Sequence, residues 1–184
     1  MFIHVTFSYI QDTIDMSMNL LTFNQVYHAY AKDVHRFAFW LCGDPDEAND
    51  ITLETFERAW LADSDICTET VKAYLFTIAR NRFLDRLRLH KRRAPLNEAM
   101  PDTALALETR MELQSELQLT LEAMQRLPEI DRTVLILRAE EGLSYEEIAR
   151  ATGLTVFAAK VKVFRARKKL VSQLSRTITG NNHE

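Results

Sequence analysis

Residues 142–170 read GLSYEEIARATGLTVFAAKVKVFRARKKL, and the punctuation of this stretch decides the fold. Ser144 followed three residues later by Glu147 is a capping box, so a helix opens at Tyr145. Gly153 ends it after Thr152, because glycine accepts the left-handed backbone at a helix terminus. Thr155 then caps a longer helix that should reach about Leu174. A short helix, a glycine-containing turn and a longer basic helix make a helix-turn-helix. On the longer helix Ala159, Val163, Ala166 and Leu170 share one face, and the small alanines allow close packing. Lys160, Val161, Phe164, Arg165 and Lys168 point elsewhere. Such a helix suits the major groove, where Lys and Arg read guanine and apolar groups meet the thymine methyl. Its first turn can also hold a phosphate.

Helical signals extend upstream. Leu113, Leu117, Leu121, Met124 and Leu127 mark a helix ended by Pro128, and Val134, Leu135 and Leu137 lie on the next. Pro95, Asn97, Pro101, Asp102 and Thr103 mark residues 94–111 as a linker. Before it, Val71 to about Arg93 forms a helix with an apolar first half and a basic second half. Asp44-Pro45-Asp46-Glu47 starts another helix, with Asp44 as N-cap and Pro45 at the first position, running to about Leu61. Thr22 and Gln25 read as a capping box, followed by Phe23, Val26, Tyr30, Val34, Phe37 and Leu41 at helical spacing and closed by Gly43. Residues 1–21 read as a loosely attached extension. Ile3, Val5, Phe7 and Tyr9 alternate as a strand would, but no partner strand is evident. A basic leader is absent and Asp12 and Asp15 intervene, which argues against a secretory signal; Met16 and Met18 are alternative translation starts. The expected organisation is an all-α chain: extension 1–21, helical domain 22–93, flexible linker 94–111, helix-turn-helix domain 112–175 and tail 176–184.

Composition agrees. The 184 residues are 47% apolar, enough for a core, and only 4 Gly and 4 Pro disfavour a turn-rich β protein. Two cysteines, Cys42 and Cys67, cannot build a disulfide framework, and no apolar run is long enough to cross a bilayer, so a cytoplasmic protein without membrane insertion is expected. The net charge of −3 conceals two basic blocks. Residues 80–93 carry seven cations against Asp85 alone, and residues 160–169 carry six cations and no acid. Each block is thus +6, and the rest of the chain is −15. One such run is as well explained by a solvated helix face; two of them, on apolar-periodic helices, point to a polyanion. His28, His35 and Cys42 recur every seven residues, about 10 Å apart along a helix, too far for one metal ion. No cofactor motif, phosphate loop or nucleophile constellation stands out, so the chain reads as a non-enzyme.

Several stretches carry a resemblance. Leu127-Pro128, Arg132-Thr133-Val134-Leu135, Glu141 through Ala149, and Phe164-Arg165-Ala166-Arg167 resemble region 4 of bacterial sigma factors, most closely the extracytoplasmic function (ECF) subfamily of the sigma-70 family. Asp50-Ile51-Thr52-Leu53-Glu54-Thr55-Phe56-Glu57-Arg58-Ala59-Trp60 resembles region 2.2. Tyr74 through Asn81, with Asp85-Arg86-Leu87-Arg88, resembles regions 2.3 and 2.4. The resemblance spans about Thr22 to Leu174.

The resemblance implies an alternative sigma factor that binds core RNA polymerase, directs it to promoters and assists DNA opening. Its partners would be the β′ clamp helices, the β flap, promoter DNA and an anti-sigma factor. Asp50, Glu54 and Glu57 become candidates for the clamp contact, with surface solubility the lesser alternative for each. Leu53 stands where relatives usually carry Gln, and Phe56 and Trp60 read as core or support. For the −10 element the candidates are Asp63, Ser64 and Asp65, in the expected loop Leu61 to Thr70 that resembles the subfamily's base-capturing segment, and Asn81, Asp85, Arg86 and Arg88. Tyr74 and Phe76 are possible stacking platforms, though an aromatic at helical spacing is more often core. For the −35 element the candidates are Lys160, Lys162, Phe164, Arg165 and Lys168. Phe157-Ala158 replaces the Gly-Thr pair with which relatives usually open this helix, so the approach to DNA can differ. The competing hypotheses are a stand-alone helix-turn-helix regulator, which has no need of the Asp50–Trp60 and Tyr74–Arg88 patterns, and a nucleic-acid enzyme, which lacks a catalytic constellation.

Overall fold

The computed structural model describes residues 3–61, 71–93 and 115–180. Seven α-helices and no strand occur among them: α1 (Ile3–Cys42), α2 (Pro45–Leu61), α3 (Val71–Arg93), α4 (Ser115–Gln125), α5 (Glu129–Ala139), α6 (Tyr145–Thr152) and α7 (Val156–Gly180). Residues 94–114, which contain the expected linker, lie outside the described residues.

Local chemistry explains most boundaries. Asp44 Oδ1 accepts from the Glu47 amide at 2.8 Å, and Cys42 is followed by Gly43 at φ +79°. Ser144 Oγ accepts from the Glu147 amide at 3.2 Å while the Glu147 carboxylate accepts from the Ser144 amide at 2.7 Å, so the capping box is closed from both sides. Gly153 ends α6 in the left-handed region at φ +73°, where a side chain is strained. Two expectations need correction. The alternating residues Ile3 to Tyr9 belong to a helix, not a strand, since α1 is continuous from Ile3. Thr22 therefore lies inside α1, not at a helix start. An alternation over four apolar residues did not outweigh the helical continuity of the chain that follows. At the other end α7 continues past Leu174 to Gly180.

Residues up to Lys32 and from Asp33 onward form two separate compact units. In the first, the rings of Phe23 and Tyr27 stack at 6.1 Å. In the second, α2 packs on α3, and α7 packs on α4, α5 and α6. Phe37 and Phe76 meet at 4.7 Å between ring centroids, with Leu41, Ile51 and Leu75 fully buried. Around α5, Leu121, Val134, Leu137, Ile148, Ala159 and Ala166 form the apolar interior of the helix-turn-helix half. Helix α6 also packs against α3, so the two halves of the chain touch within this unit.

Candidate nucleic-acid interface

Helix α7 presents one face inward and another outward. Thr155 Oγ1 accepts from the Ala158 amide at 3.1 Å and fixes its start. Ala159, Val163 and Ala166 are buried, which turns Phe157, Lys160, Phe164, Arg165 and Lys168 to solvent. Lys160 Nζ lies 5.5 Å from the centre of the Tyr145 ring, which Arg138 also approaches at 4.7 Å. Arg138 in turn donates to the Leu143 carbonyl at 2.7 Å, so Tyr145 sits at a joint of α5, α6 and α7. Lys168 Nζ lies 4.9 Å over the Phe164 ring.

Of the residues expected at the −35 element, Lys160, Phe164, Arg165 and Lys168 therefore share an open face. Lys162 does not. It pairs with Asp131 at 3.1 Å, and Lys169 takes the other carboxylate oxygen at 2.6 Å. Burial pushes the Asp131 carboxyl up, but the two lysines outweigh it and hold the group below its usual 3.8. Asp131 was missed in the sequence. The available signal was an acid in the first turn of α5, just before an apolar run.

The basic block of α3 is less exposed as charge than its count implies. Arg80 makes two hydrogen bonds to the Glu129 carboxylate, at 2.8 and 3.2 Å. Arg86 reaches Asp50 at 3.2 Å and Glu54 at 2.6 Å. Arg82 and Arg88 both pair with Asp85, at 3.3 and 3.0 Å. Candidates for different partners, Arg86 for DNA and Asp50 and Glu54 for polymerase, are thus neighbours across α2 and α3. Asn81 is exposed and Tyr74 is half-buried. Phe76 is not a stacking platform: it is fully buried against Phe37. Asp63, Ser64 and Asp65 lie outside the described residues.

On α2, Phe56 is core, whereas Trp60 is 44% exposed and so is not core, the first of the two roles expected for it. Leu53 and Glu57 are exposed at helical spacing from Trp60, and Leu61 follows, giving an apolar outer face with an acid in it. At the end of α1, the Cys42 thiol donates to the Asp44 carbonyl at 3.1 Å, and burial pushes it up to about 12. That is the behaviour of a packed thiol, not a reactive one.

Two polar joints connect the halves, and neither was foreseen. The buried carboxylate of Glu141 meets Arg36 of α1 and Lys72 of α3. Arg132 of α5 is buried and donates to the Leu41 carbonyl and to the Gln125 side chain, while Gln125 Nε2 donates to the Trp40 carbonyl at 3.1 Å. The last turn of α1 leaves carbonyls without helical partners, and Arg132 and Gln125 supply them. Burial pulls the Arg132 guanidinium down to about 10, so it stays charged at neutral pH.

Known proteins match this arrangement in order. Residues 26–93 match the family described as Sigma-70 region 2, and residues 117–170 match Sigma-70, region 4. The chain is 35% identical over 150 residues to the ECF RNA polymerase sigma factor EcfG of Rhodopseudomonas palustris, covering 79% of this chain and 81% of that one. It is 29% identical over 160 residues to the ECF RNA polymerase sigma factor SigM of Bacillus subtilis, covering 86% and 98%. Among solved structures it is similar to the sigma factor RpoE of Bartonella quintana in complex with the anti-sigma factor NepR. That match has a TM-score of 0.68 and 27% identity, over 84% of this chain and 97% of that one. It is also similar to CnrH in complex with the cytosolic domain of CnrY, at a TM-score of 0.66 and 27% identity, over 87% and 92%. With regions 2 and 4 both present and relatives matched over most of their length, the chain belongs to the sigma-70 family as an ECF sigma factor.

Proposed function

We infer that this chain is an alternative sigma factor: it binds core RNA polymerase, directs it to a defined set of promoters and assists DNA opening. The observation that carries this reading is the ordered pairing of region 2 (residues 26–93) with region 4 (residues 117–170) in one chain. A stand-alone helix-turn-helix regulator finds no support, since it leaves region 2 without a task.

Exposure and neighbours support the following roles for single residues. Lys160, Phe164, Arg165 and Lys168 face the −35 duplex from the open side of α7, and Lys162 acts at one remove by fixing α7 to Asp131. Asn81, Asp85, Arg86, Arg88 and Tyr74 lie along α3, where the −10 strand would pass, and Asp63, Ser64 and Asp65 precede that helix in the sequence. The outer face of α2 takes the polymerase: Leu53 and Trp60 supply apolar area, and Asp50, Glu54 and Glu57 supply charge. The pairs of Arg86 with Asp50 and Glu54 are no obstacle, because ion pairs this exposed contribute only about 0–1 kcal/mol. The chain itself performs no catalysis; polymerase supplies it. No described helix is long and apolar enough to cross a membrane. As a partner of core polymerase, the chain acts in the cytoplasm. By analogy with the two solved complexes, an anti-sigma factor is its regulatory partner.

The test is a titration of labelled full-length chain with purified bacterial core RNA polymerase, beside free promoter-like duplex. Tight saturable binding to core with weak binding to free DNA is the expected result. Tight sequence-dependent binding to DNA with none to core would overturn the sigma reading.

A further inference from the structure

The open face of α7 carries two aromatic rings among its cations. Phe157 is 78% exposed and Phe164 is 60% exposed. Seven residues separate them, nearly two helical turns, so both lie on one stripe about 10 Å apart along the axis. Val161 lies between them and is only half-buried. Lys160, Arg165 and Lys168 border the stripe, and Lys168 Nζ holds 4.9 Å over the Phe164 ring. An apolar stripe framed by cations suits a surface that is polyanionic at its edges and apolar in its centre. Duplex DNA has that character where thymine methyl groups line the major groove between the phosphates.

We propose that Phe157 and Phe164 read the methyl groups of two thymines, about two to three base pairs apart, in the duplex this helix enters. A helix in the major groove lies inclined to the duplex axis, so about 10 Å along α7 spans about two to three base-pair steps of about 3.4 Å each. The charge around the stripe fixes the occupant: Lys160, Arg165 and Lys168 anchor the backbone, and the rings supply sequence preference that point charges cannot. This inference rests on α7 being the −35 reading helix, and it names what that helix reads.

The experiment uses holoenzyme made from the full-length chain and bacterial core polymerase, offered duplexes randomised across the −35 element. Selection should enrich two T·A pairs about two to three base pairs apart. Replacing either thymine by deoxyuridine removes only a methyl group and should weaken binding about fourfold, the equivalent of one buried CH₂. Phe157→Ala should lose sensitivity at one position and Phe164→Ala at the other. Both side chains are exposed, so an unchanged unfolding midpoint accompanies the loss. Equal binding of thymine and uracil duplexes would overturn the proposal. So would variants that keep both sensitivities, and the stripe would then belong to a protein contact. Failure of the sigma reading has a different signature: no duplex is retained with core by wild type or variant, and both readings fall together.

Discussion

Arg36 of α1 and the buried carboxylate of Glu141 form a two-point contact. The Nε of Arg36 lies 3.0 Å and a terminal nitrogen 2.9 Å from its oxygens. Lys72 of α3 reaches the same carboxylate at 3.0 Å and Asp33 at 2.9 Å, so one acid in the helix-turn-helix half is held by two cations of the other half. Burial raises the Asp33 carboxyl, but Lys72 and Arg36 outweigh it and leave the group below its ordinary value. The joint is a charged one, with a fully buried carboxylate held by two partly exposed cations.

Glu141→Gln should therefore weaken the docking. The variant keeps size and hydrogen-bonding ability but removes the charge facing Arg36 and Lys72. Both cations are partly exposed and regain water, which places the loss near the lower end for charged hydrogen bonds, about 1–2 kcal/mol. Urea unfolding of the full chain, with hydrogen exchange in α6, measures it. The expected outcome is a lower midpoint and faster exchange in α6. An unchanged midpoint would mean that desolvation of Glu141 cancels its attraction to the two cations.

Asp131 makes stability depend on acidity in a defined direction. Its carboxyl is held below 3.8 when folded, so its contribution is fully present above 3.8 and disappears as pH falls through the lower folded value. Asp131→Asn should lower stability at neutral pH by about 1–3 kcal/mol, discounted for the partial exposure of Lys162 and Lys169. The gap between wild type and variant should stay constant from pH 7 to 5 and narrow below 3.8. A gap that widens on acidification would contradict the ion pairs.

Gly43 meets two constraints at once. Its φ of +79° disfavours a side chain, and an added Cβ would lie 3.0 Å from Gln125 Nε2. Gly43→Ala should destabilise by about 1–3 kcal/mol from backbone strain alone. It should also displace Gln125 from the Trp40 carbonyl. Thermal unfolding measures the first effect; faster exchange of amides around Gln125 measures the second. Wild-type stability in the variant would show that the turn relaxes freely.

The helices from α2 onward were legible because their ends are written in single residues: Asp44 with Pro45, Ser144 with Glu147, Gly153 with Thr155. The start of α1 was not, because four alternating apolar residues imitate a strand. The outward face of α7 was legible from Ala159 and Ala166, whose small size marks the packed side. What could not be read was which charges meet. Lys162 and Lys160 are two residues apart in the same basic run, yet one faces Asp131 and the other the Tyr145 ring. Choosing between them requires the position of α5. Arg36 with Glu141 and Arg80 with Glu129 are separated by 105 and 49 residues, and no local spacing reports such pairs.

The proposal of separate surfaces for DNA and polymerase gives the last prediction. Lys160 and Arg165 are exposed on α7. Lys160→Ala should weaken promoter binding across sequences and lower its salt dependence by about one ion, as expected for a phosphate contact. Arg165→Ala should do the same, as a second backbone anchor. Neither should change affinity for core polymerase. Glu54→Lys should do the reverse: it removes the 2.6 Å contact to Arg86, sets two cations side by side and reverses charge on the outer side of α2. Core affinity should then fall while the α7 face is untouched. Measuring each variant in both titrations decides the matter, and an equal loss in both by Lys160→Ala or Arg165→Ala would refute separate roles for the two surfaces.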